Sequence, residues 1–185
     1  MAHSVCPWWL GYLLASPVRR LWQDPSGILR PFVSEGMTVV EPGCGMGFFT
    51  IALAGLVGPS GRVVALDLQP RMLSGLARRV RGTGLADRID ARLVQPASLG
   101  IDDLVGAVDF VLAFAVVHEL PDAARFFAEM HTALKPGGRM LVAEPRNHVS
   151  EEDFAAMVDL AARPGFRAAT CPTIRSSLTV ILERS

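Results

Sequence analysis

Thr38-Val39-Val40-Glu41-Pro42-Gly43-Cys44-Gly45-Met46-Gly47 is the stretch on which the fold turns. Its first residues are β-formers that end in an acid. Three alternating glycines follow, and then an apolar run of helical period from Phe48 to Val57. A strand that meets a glycine-rich turn and opens a helix is the start of a βαβ unit. Glycine at that turn lets the backbone bend tightly and come close to a ligand.

The same alternation continues downstream. Gly58-Pro59-Ser60-Gly61 closes the first helix, and Arg62 to Leu66 reads as strand two. Pro70 to Arg81 reads as a helix with Pro70 near its first position, where a missing N–H costs little. Ile89 to Val94 is strand three, Ile101 to Val105 a short helical piece and Asp109 to Phe114 strand four. Ala123 to Leu134 has helical apolar spacing, with Phe126, Phe127, Met130 and Leu134 on one face. Lys135-Pro136-Gly137-Gly138 predicts a helix stop and a turn before strand five, Arg139 to Ala143. Ser150 caps a helix over Glu151 to Ala162. Arg167 to Cys171 and Leu178 to Glu183 read as strands six and seven, joined by a connection long enough for a hairpin. Strands alternating with helices specify an α/β fold with a mostly parallel sheet.

The spacing of the glycine loop narrows its ligand. The loop is G-x-G-x-G followed by Phe48, whereas a dinucleotide fingerprint is G-x-G-x-x-G and a P-loop needs Lys and Ser or Thr. Glu41 closes strand one. A carboxylate there repels a pyrophosphate but suits a ligand carrying an ammonium group and a sulfonium. Strand two runs into Asp67, placed to accept hydrogen bonds from the hydroxyls of a ribose. That acid lies 20 residues beyond Gly47, at the spacing of about 20 expected for a ribose-binding carboxylate. A ribose-binding acid beside a loop that tolerates a cation describes S-adenosylmethionine better than NAD.

With these residues in view, the sequence resembles the class I methyltransferases. Glu41 to Gly47 is similar to their first motif and Val63-Val64-Ala65-Leu66-Asp67 to their second. Val108-Asp109-Phe110-Val111-Leu112 is similar to the fourth, and Leu134-Lys135-Pro136-Gly137-Gly138-Arg139 to the turn before strand five. The resemblance is closest to the branch of quinone-biosynthesis and arsenite methyltransferases, and runs from about Met37 to the C-terminus. It implies a Rossmann-like seven-stranded sheet of order 3-2-1-4-5-7-6 with strand seven antiparallel, flanked by helices. It further implies that Gly43, Cys44, Gly45 and Gly47 back the methionine part of S-adenosylmethionine, with Glu41 near its amino group. Asp67 would hold the ribose, Leu68 would pack on the adenine, and Phe114 would join the cofactor-binding set at the end of strand four. The family often carries Gly-Asp-Ala after strand three, its Asp reading the adenine amino group. Here the aligned residues are Gln95-Pro96-Ala97-Ser98, which leaves Gln95, Ser98 or a backbone carbonyl for that contact.

Methyl transfer is an in-line displacement, so the protein mainly brings donor and acceptor together. A base is needed only where the nucleophile must lose a proton. The stretch after strand four reads Phe114-Ala115-Val116-Val117-His118-Glu119. It lacks the Asn/Asp-Pro-Pro-aromatic run of methyltransferases acting on nucleobase or glutamine nitrogens. His118 lies where an active-site crevice opens, at the carboxyl end of the sheet. Two readings stand for it: a base taking a proton from a hydroxyl or thiol, or a residue lining the cofactor pocket. Glu119 reads as an orienting or first-turn acid. His148, after Glu144-Pro145-Arg146-Asn147, is either a substrate contact or plain loop structure, and His131 reads as a surface residue.

The bulk properties exclude several classes. The 185 residues are one domain's worth, half of them hydrophobic. Formal net charge is zero, with 18 basic and 18 acidic residues, which argues against a nucleic-acid partner. Cys6, Cys44 and Cys171 are scattered and odd in number, which argues against a disulfide scaffold or a structural zinc. Nothing in the spacing of His3, Cys6, His118 and His148 demands a metal. The apolar segment from Cys6 to Ala15 lacks a basic start and is shorter than a membrane span, so a cytoplasmic protein without an integral span is expected. Residues 1–36 read as an N-terminal helical extension to a methyltransferase domain over 37–185. The aromatic Trp8, Trp9, Tyr12 and Trp22 suggest a lid on the acceptor, a cover for the core, or a membrane-interface contact with Arg19 and Arg20. The expected partner is a small, rather apolar acceptor. A catalytically silent cofactor-binding subunit and an NAD-dependent oxidoreductase are the alternatives.

Overall fold

The computed structural model describes residues 11, 16, 19, 23–95 and 98–185. Seven strands form one sheet in the order β3-β2-β1-β4-β5-β7-β6. They are β1 (Thr38–Pro42), β2 (Arg62–Asp67), β3 (Ile89–Leu93), β4 (Val108–Phe114), β5 (Leu134–Pro145), β6 (Phe166–Thr170) and β7 (Ser177–Arg184). Helices with described bounds are α1 (Pro25–Leu29), α2 (Thr50–Leu56), α3 (Pro70–Val80), α4 (Ala123–Ala133) and α5 (Glu151–Ala162). The sheet order expected from the family resemblance is the one observed. The described residues fall into two compact units, one up to Gln95 and one from Ser98 onward.

In the first unit β1 pairs with β2, and β2 with β3, both parallel. Val63, Val64, Ala65 and Leu66 are fully buried, as a parallel strand covered on both faces requires. Part of the N-terminal stretch belongs to this unit's core: Leu29 is fully buried and Val33 nearly so. Asp24 caps α1 by accepting the Ser26 N–H. The Arg19 guanidinium lies over the Phe48 ring at 4.3 Å. The four aromatic residues behind the lid, cover and membrane readings, with Arg20, lie outside the described residues, as do His3 and Cys6.

In the second unit β4 pairs with β5 in parallel, and β7 runs antiparallel to both β5 and β6. Asp122 caps α4 through the Arg125 N–H, and Ser150 caps α5 through the Asp153 N–H. Glu151, Glu152 and Asp153 place negative charge at the α5 N-terminus, where the helix dipole favours it.

Three sequence expectations need correction. The first helix begins at Thr50 rather than Phe48. Gly47 has φ +82° and bonds back to the Cys44 carbonyl, so the turn runs on through Phe48 and Phe49, whose buried rings meet edge to face. Second, Lys135-Pro136-Gly137-Gly138 is not a turn before β5 but a bulge inside it. Val108 pairs with Leu134 and Phe110 with Arg139, so four residues oppose Asp109 alone. The chain leaves the helical region at Leu134, with ψ 147°; the proline after Lys135 disfavours a return to it, and Gly137 has φ +74°. A Cβ on Gly138 would lie 2.8 Å from the Lys135 carbonyl oxygen. Leu134, counted with the helix on its apolar spacing, is the first residue of the strand. Third, His131 is half-buried, edge-on to the Phe166 ring at 5.2 Å. Burial first, and Arg184 second, push its imidazole below the usual value.

Candidate functional site

Each unit places a cluster beyond the carboxyl ends of its strands. In the first unit the loop after β1 folds against the end of β2. The Cys44 N–H donates to the Leu66 carbonyl at 3.0 Å, and the Gly45 N–H donates to Asp67 Oδ2 at 2.8 Å. The other Asp67 oxygen accepts the Gln69 N–H at 2.8 Å. These amides fix the carboxylate's direction, and each oxygen keeps acceptor capacity for a hydroxyl. Burial raises the Asp67 carboxyl above its ordinary value, opposed by the amides of Gln69, Gly45 and Leu68.

Glu41 is buried and takes a 2.6 Å hydrogen bond from the Thr50 hydroxyl. Desolvation pushes its carboxyl up to about 8; Thr50 opposes the shift, and the nearby Asp67 charge adds to it. Gly43, Gly45 and Gly47 all have positive φ. A Cβ on Gly45 would meet nothing within 4 Å, whereas one on Gly47 would lie 2.4 Å from Leu76 Cδ1. The loop is thus open at its centre and packed against α3 at its end. Arg79 of α3 donates to the Met46 carbonyl at 2.6 Å, and a Cβ on Gly75 would strike Met46 Cγ at 2.6 Å. Gly75 was not singled out from the sequence.

The structure brings together Glu41, Gly45, Gly47 and Asp67 around that opening. Cys44 differs from them. Its side chain packs in a cluster with Ala65, Leu76 and Val80, its N–H and carbonyl are both engaged, and burial pushes its thiol up. It shapes the loop. Leu68 is half-buried directly after Asp67. Gln95 is exposed at the end of the first unit. Ser98 is exposed in the second, where its hydroxyl accepts the Gly100 N–H and borders a depression of about 400 Å³ against α4.

In the second unit β4 ends at Phe114, half-buried and in register with Ala143. Ala115 then takes φ +54°, a left-handed conformation that costs a non-glycine residue on the order of 1 kcal/mol. The bend leads into a 3₁₀ turn, Val117–Glu119, that carries His118. Glu144, at the end of β5, is fully buried. One of its oxygens accepts the Val117 N–H at 2.8 Å and the Val116 N–H at 3.3 Å; the other is hydrogen-bonded to His118 Nδ1. His148 meets the His118 ring edge-on at 5.5 Å, and Glu119 lies 4.0 Å from Nε2. The hydrogen bond to Glu144 raises the His118 imidazole above its usual value against the pull of burial, with smaller contributions from the Glu144 and Glu119 charges. Sequence reading set His118 beside His148 only as part of a conceivable metal set, and did not pair it with Glu144. An acid directly after the apolar run Met140 to Ala143 was the one signal for Glu144.

Among the described residues, no three His, Cys, Asp or Glu side chains are placed to hold a metal ion. No described helix is long and apolar enough to cross a membrane.

A model of the methyltransferase domain matches residues 33–176. An arsenite methyltransferase of Halobacterium salinarum is 31% identical over 112 residues, covering 60% of this chain and 28% of that protein. The ubiquinone/menaquinone biosynthesis C-methyltransferase UbiE of Pasteurella multocida is 30% identical over 136 residues, covering 71% of this chain and 48% of that one. The chain spans about half or less of the length of these curated relatives. The crystal structure of a SAM-dependent methyltransferase from Aquifex aeolicus superposes with a TM-score of 0.85 at 24% identity, over 98% of this chain and all of that one, which shows a common fold. The glycine loop, the acid ending β2, the strand order and the domain match agree: the chain belongs to the class I S-adenosylmethionine-dependent methyltransferases.

Proposed function

We propose that this protein binds S-adenosylmethionine at the glycine loop and transfers its methyl group to a small, rather apolar acceptor by in-line displacement. The observation that carries the reading is the pairing of an open Gly45 with an Asp67 held by backbone amides. The opening admits a ligand against bare backbone, and the carboxylate beside it accepts from a ribose. The donor set fits the cofactor: Glu41 and Asp67 are both carboxyl groups, suited to a cationic ligand with a diol. When bound, the cofactor supplies a methyl group on a positively charged sulfur, already activated for displacement.

Gly43, Gly45 and Gly47 would line the methionine part, Glu41 would meet its ammonium, and Asp67 the ribose. In the first unit Leu68 and Gln95 are candidates for the adenine side; in the second, Ser98 and Phe114 are candidate cofactor contacts, His118 a candidate base and His148 a candidate substrate contact. A small acceptor is supported by the zero net charge and by the arsenite and quinone-biosynthesis names of the relatives.

Calorimetric titration with S-adenosylmethionine and, separately, NADH tests the cofactor. Micromolar binding of the first and none of the second is expected. Asp67→Asn should weaken that binding about tenfold to hundredfold, the worth of a hydrogen bond to a charged group. An unchanged affinity in this variant would remove the ribose role, and binding of NADH alone would overturn the reading.

A further inference from the structure

The second cluster contains more than a lone histidine. Glu144 receives three donors, all from consecutive residues: the amides of Val116 and Val117 and the ring of His118. A carboxylate accepting two amides on one oxygen acts as acceptor toward the ring as well, so Nδ1 carries the proton. The neutral imidazole then presents a free lone pair at Nε2. Glu119 Oε1 stands 4.0 Å from that nitrogen, beyond hydrogen-bond length, and does not consume it. The His118 side chain keeps 18% exposure while Glu144 has none, so the ring is anchored at its buried edge and accessible at the other. His148 braces the ring from the side. The left-handed Ala115 completes the arrangement, because strain of this kind persists where surrounding structure enforces it and is concentrated at functional sites.

We propose that Glu144 is a positioning residue that holds His118 as a proton acceptor at Nε2, and that the acceptor substrates carry a weakly acidic hydroxyl, such as a phenol or enol. The assignment rests on the methyl-transfer reading above. A thiolate or a neutral amine attacks without prior loss of a proton, whereas a phenol at neutral pH benefits from a base. The hydroxyl proton moves to Nε2, the oxygen's electron pair forms the bond to the methyl carbon, and the pair of the broken carbon–sulfur bond stays on sulfur. Among the described residues, the titratable groups facing the His118 ring are Glu144, Glu119 and His148. Both acids favour the imidazolium, so the base is free only on the alkaline side of its titration.

The test begins with ¹⁵N-histidine NMR of the full chain, with and without S-adenosylhomocysteine. The neutral form of His118 is expected as the Nδ1–H tautomer. In Glu144→Gln the His118 imidazolium should lose its proton at least tenfold more readily. An Nε2–H tautomer in the unsubstituted protein overturns the proposal, and that measurement stands even if the variant fails to fold. An unchanged titration in a folded variant overturns it as well.

The second arm follows transfer of labelled methyl to 2-naphthol and to thiophenol. His118→Asn should lower kcat with the naphthol about a hundredfold, in the range for general-base catalysis, and at least tenfold more than with the thiol. Glu144→Gln should move the pH profile with the naphthol toward acid. Equal losses with both probes, or no transfer to the naphthol by protein that binds S-adenosylhomocysteine, would overturn the hydroxyl assignment. Failure to bind S-adenosylhomocysteine would count instead against the methyl-transfer reading.

Discussion

Gly47→Ala is expected to lower stability by roughly 3 kcal/mol and to abolish cofactor binding, the stability loss combining left-handed strain with overpacking. The residue has φ +82°, which any side chain adopts at a cost of about 1 to 2 kcal/mol. The added methyl would also sit 2.4 Å from Leu76 Cδ1, well inside contact distance. Leu76 is itself buried among Cys44, Ala65 and Val80, so it has little room to withdraw. The loop must shift instead, carrying Gly45 away from the Asp67 carboxylate. Denaturant unfolding of Gly47→Ala, Leu76→Ala and the double variant separates the causes. Removing Leu76 should return the steric part of the loss and leave the strain. Gly45→Ala is the contrasting case, since its Cβ enters open space. That variant should stay folded yet lose cofactor affinity. A Gly47→Ala protein of ordinary stability would show that the loop is not clamped by α3.

The second large effect is a pH dependence centred on Glu41. Its carboxyl is raised from 4.5 to about 8 in the folded chain. Between those values the folded state holds a proton that the unfolded state has released. The stabilisation is therefore complete below 4.5, shrinks as pH rises through the window and is gone above about 8. Glu41→Gln stays neutral throughout and still accepts from Thr50. Relative to the unsubstituted protein it should gain stability with rising pH, up to on the order of 5 kcal/mol by pH 8. Cofactor binding should reverse the preference, because an ammonium beside Glu41 favours the carboxylate. Near pH 7 binding of S-adenosylhomocysteine should then release close to one proton, read from the buffer dependence of the calorimetric enthalpy. Above pH 9 the release should vanish, and Glu41→Gln should abolish it and weaken binding. A buffer-independent enthalpy at pH 7 would mean that Glu41 is already ionised or takes no part.

Much of the first cluster was legible because its geometry is local. Glu41, the glycines and Asp67 lie on one βαβ unit, where loop spacing and strand register bring them together. The alternation of apolar runs with Gly-Pro-Ser-Gly and similar breaks carried the strand order once the resemblance was in view. The bulge in β5 was not legible, since Pro-Gly-Gly marks a reversal and a bulge equally well. Only the β4 register distinguishes the two. His131 looked like a surface residue because its neighbour Phe166 comes from 35 residues farther along the chain. Glu144 was missed for the same reason: it meets His118 across 26 residues, a contact that no short-range pattern encodes. The part played by Met46 in docking the loop on α3 through Gly75 and Arg79 was likewise invisible to a reading by motif.

The three donors on Glu144 have a consequence for hydrogen exchange. Connecting segments ordinarily open easily and exchange their amides early. The amides of Val116 and Val117 lie outside any strand, yet both end on a carboxylate that belongs to β5. Releasing them requires that strand to let go, so they should exchange with the slow amides of the sheet rather than with the surrounding loop. In Glu144→Gln, where half of the acceptor is replaced by a donor, they should join the fast class. Slow exchange at these two positions would mark a segment that looks like a loop in the sequence and opens like a strand.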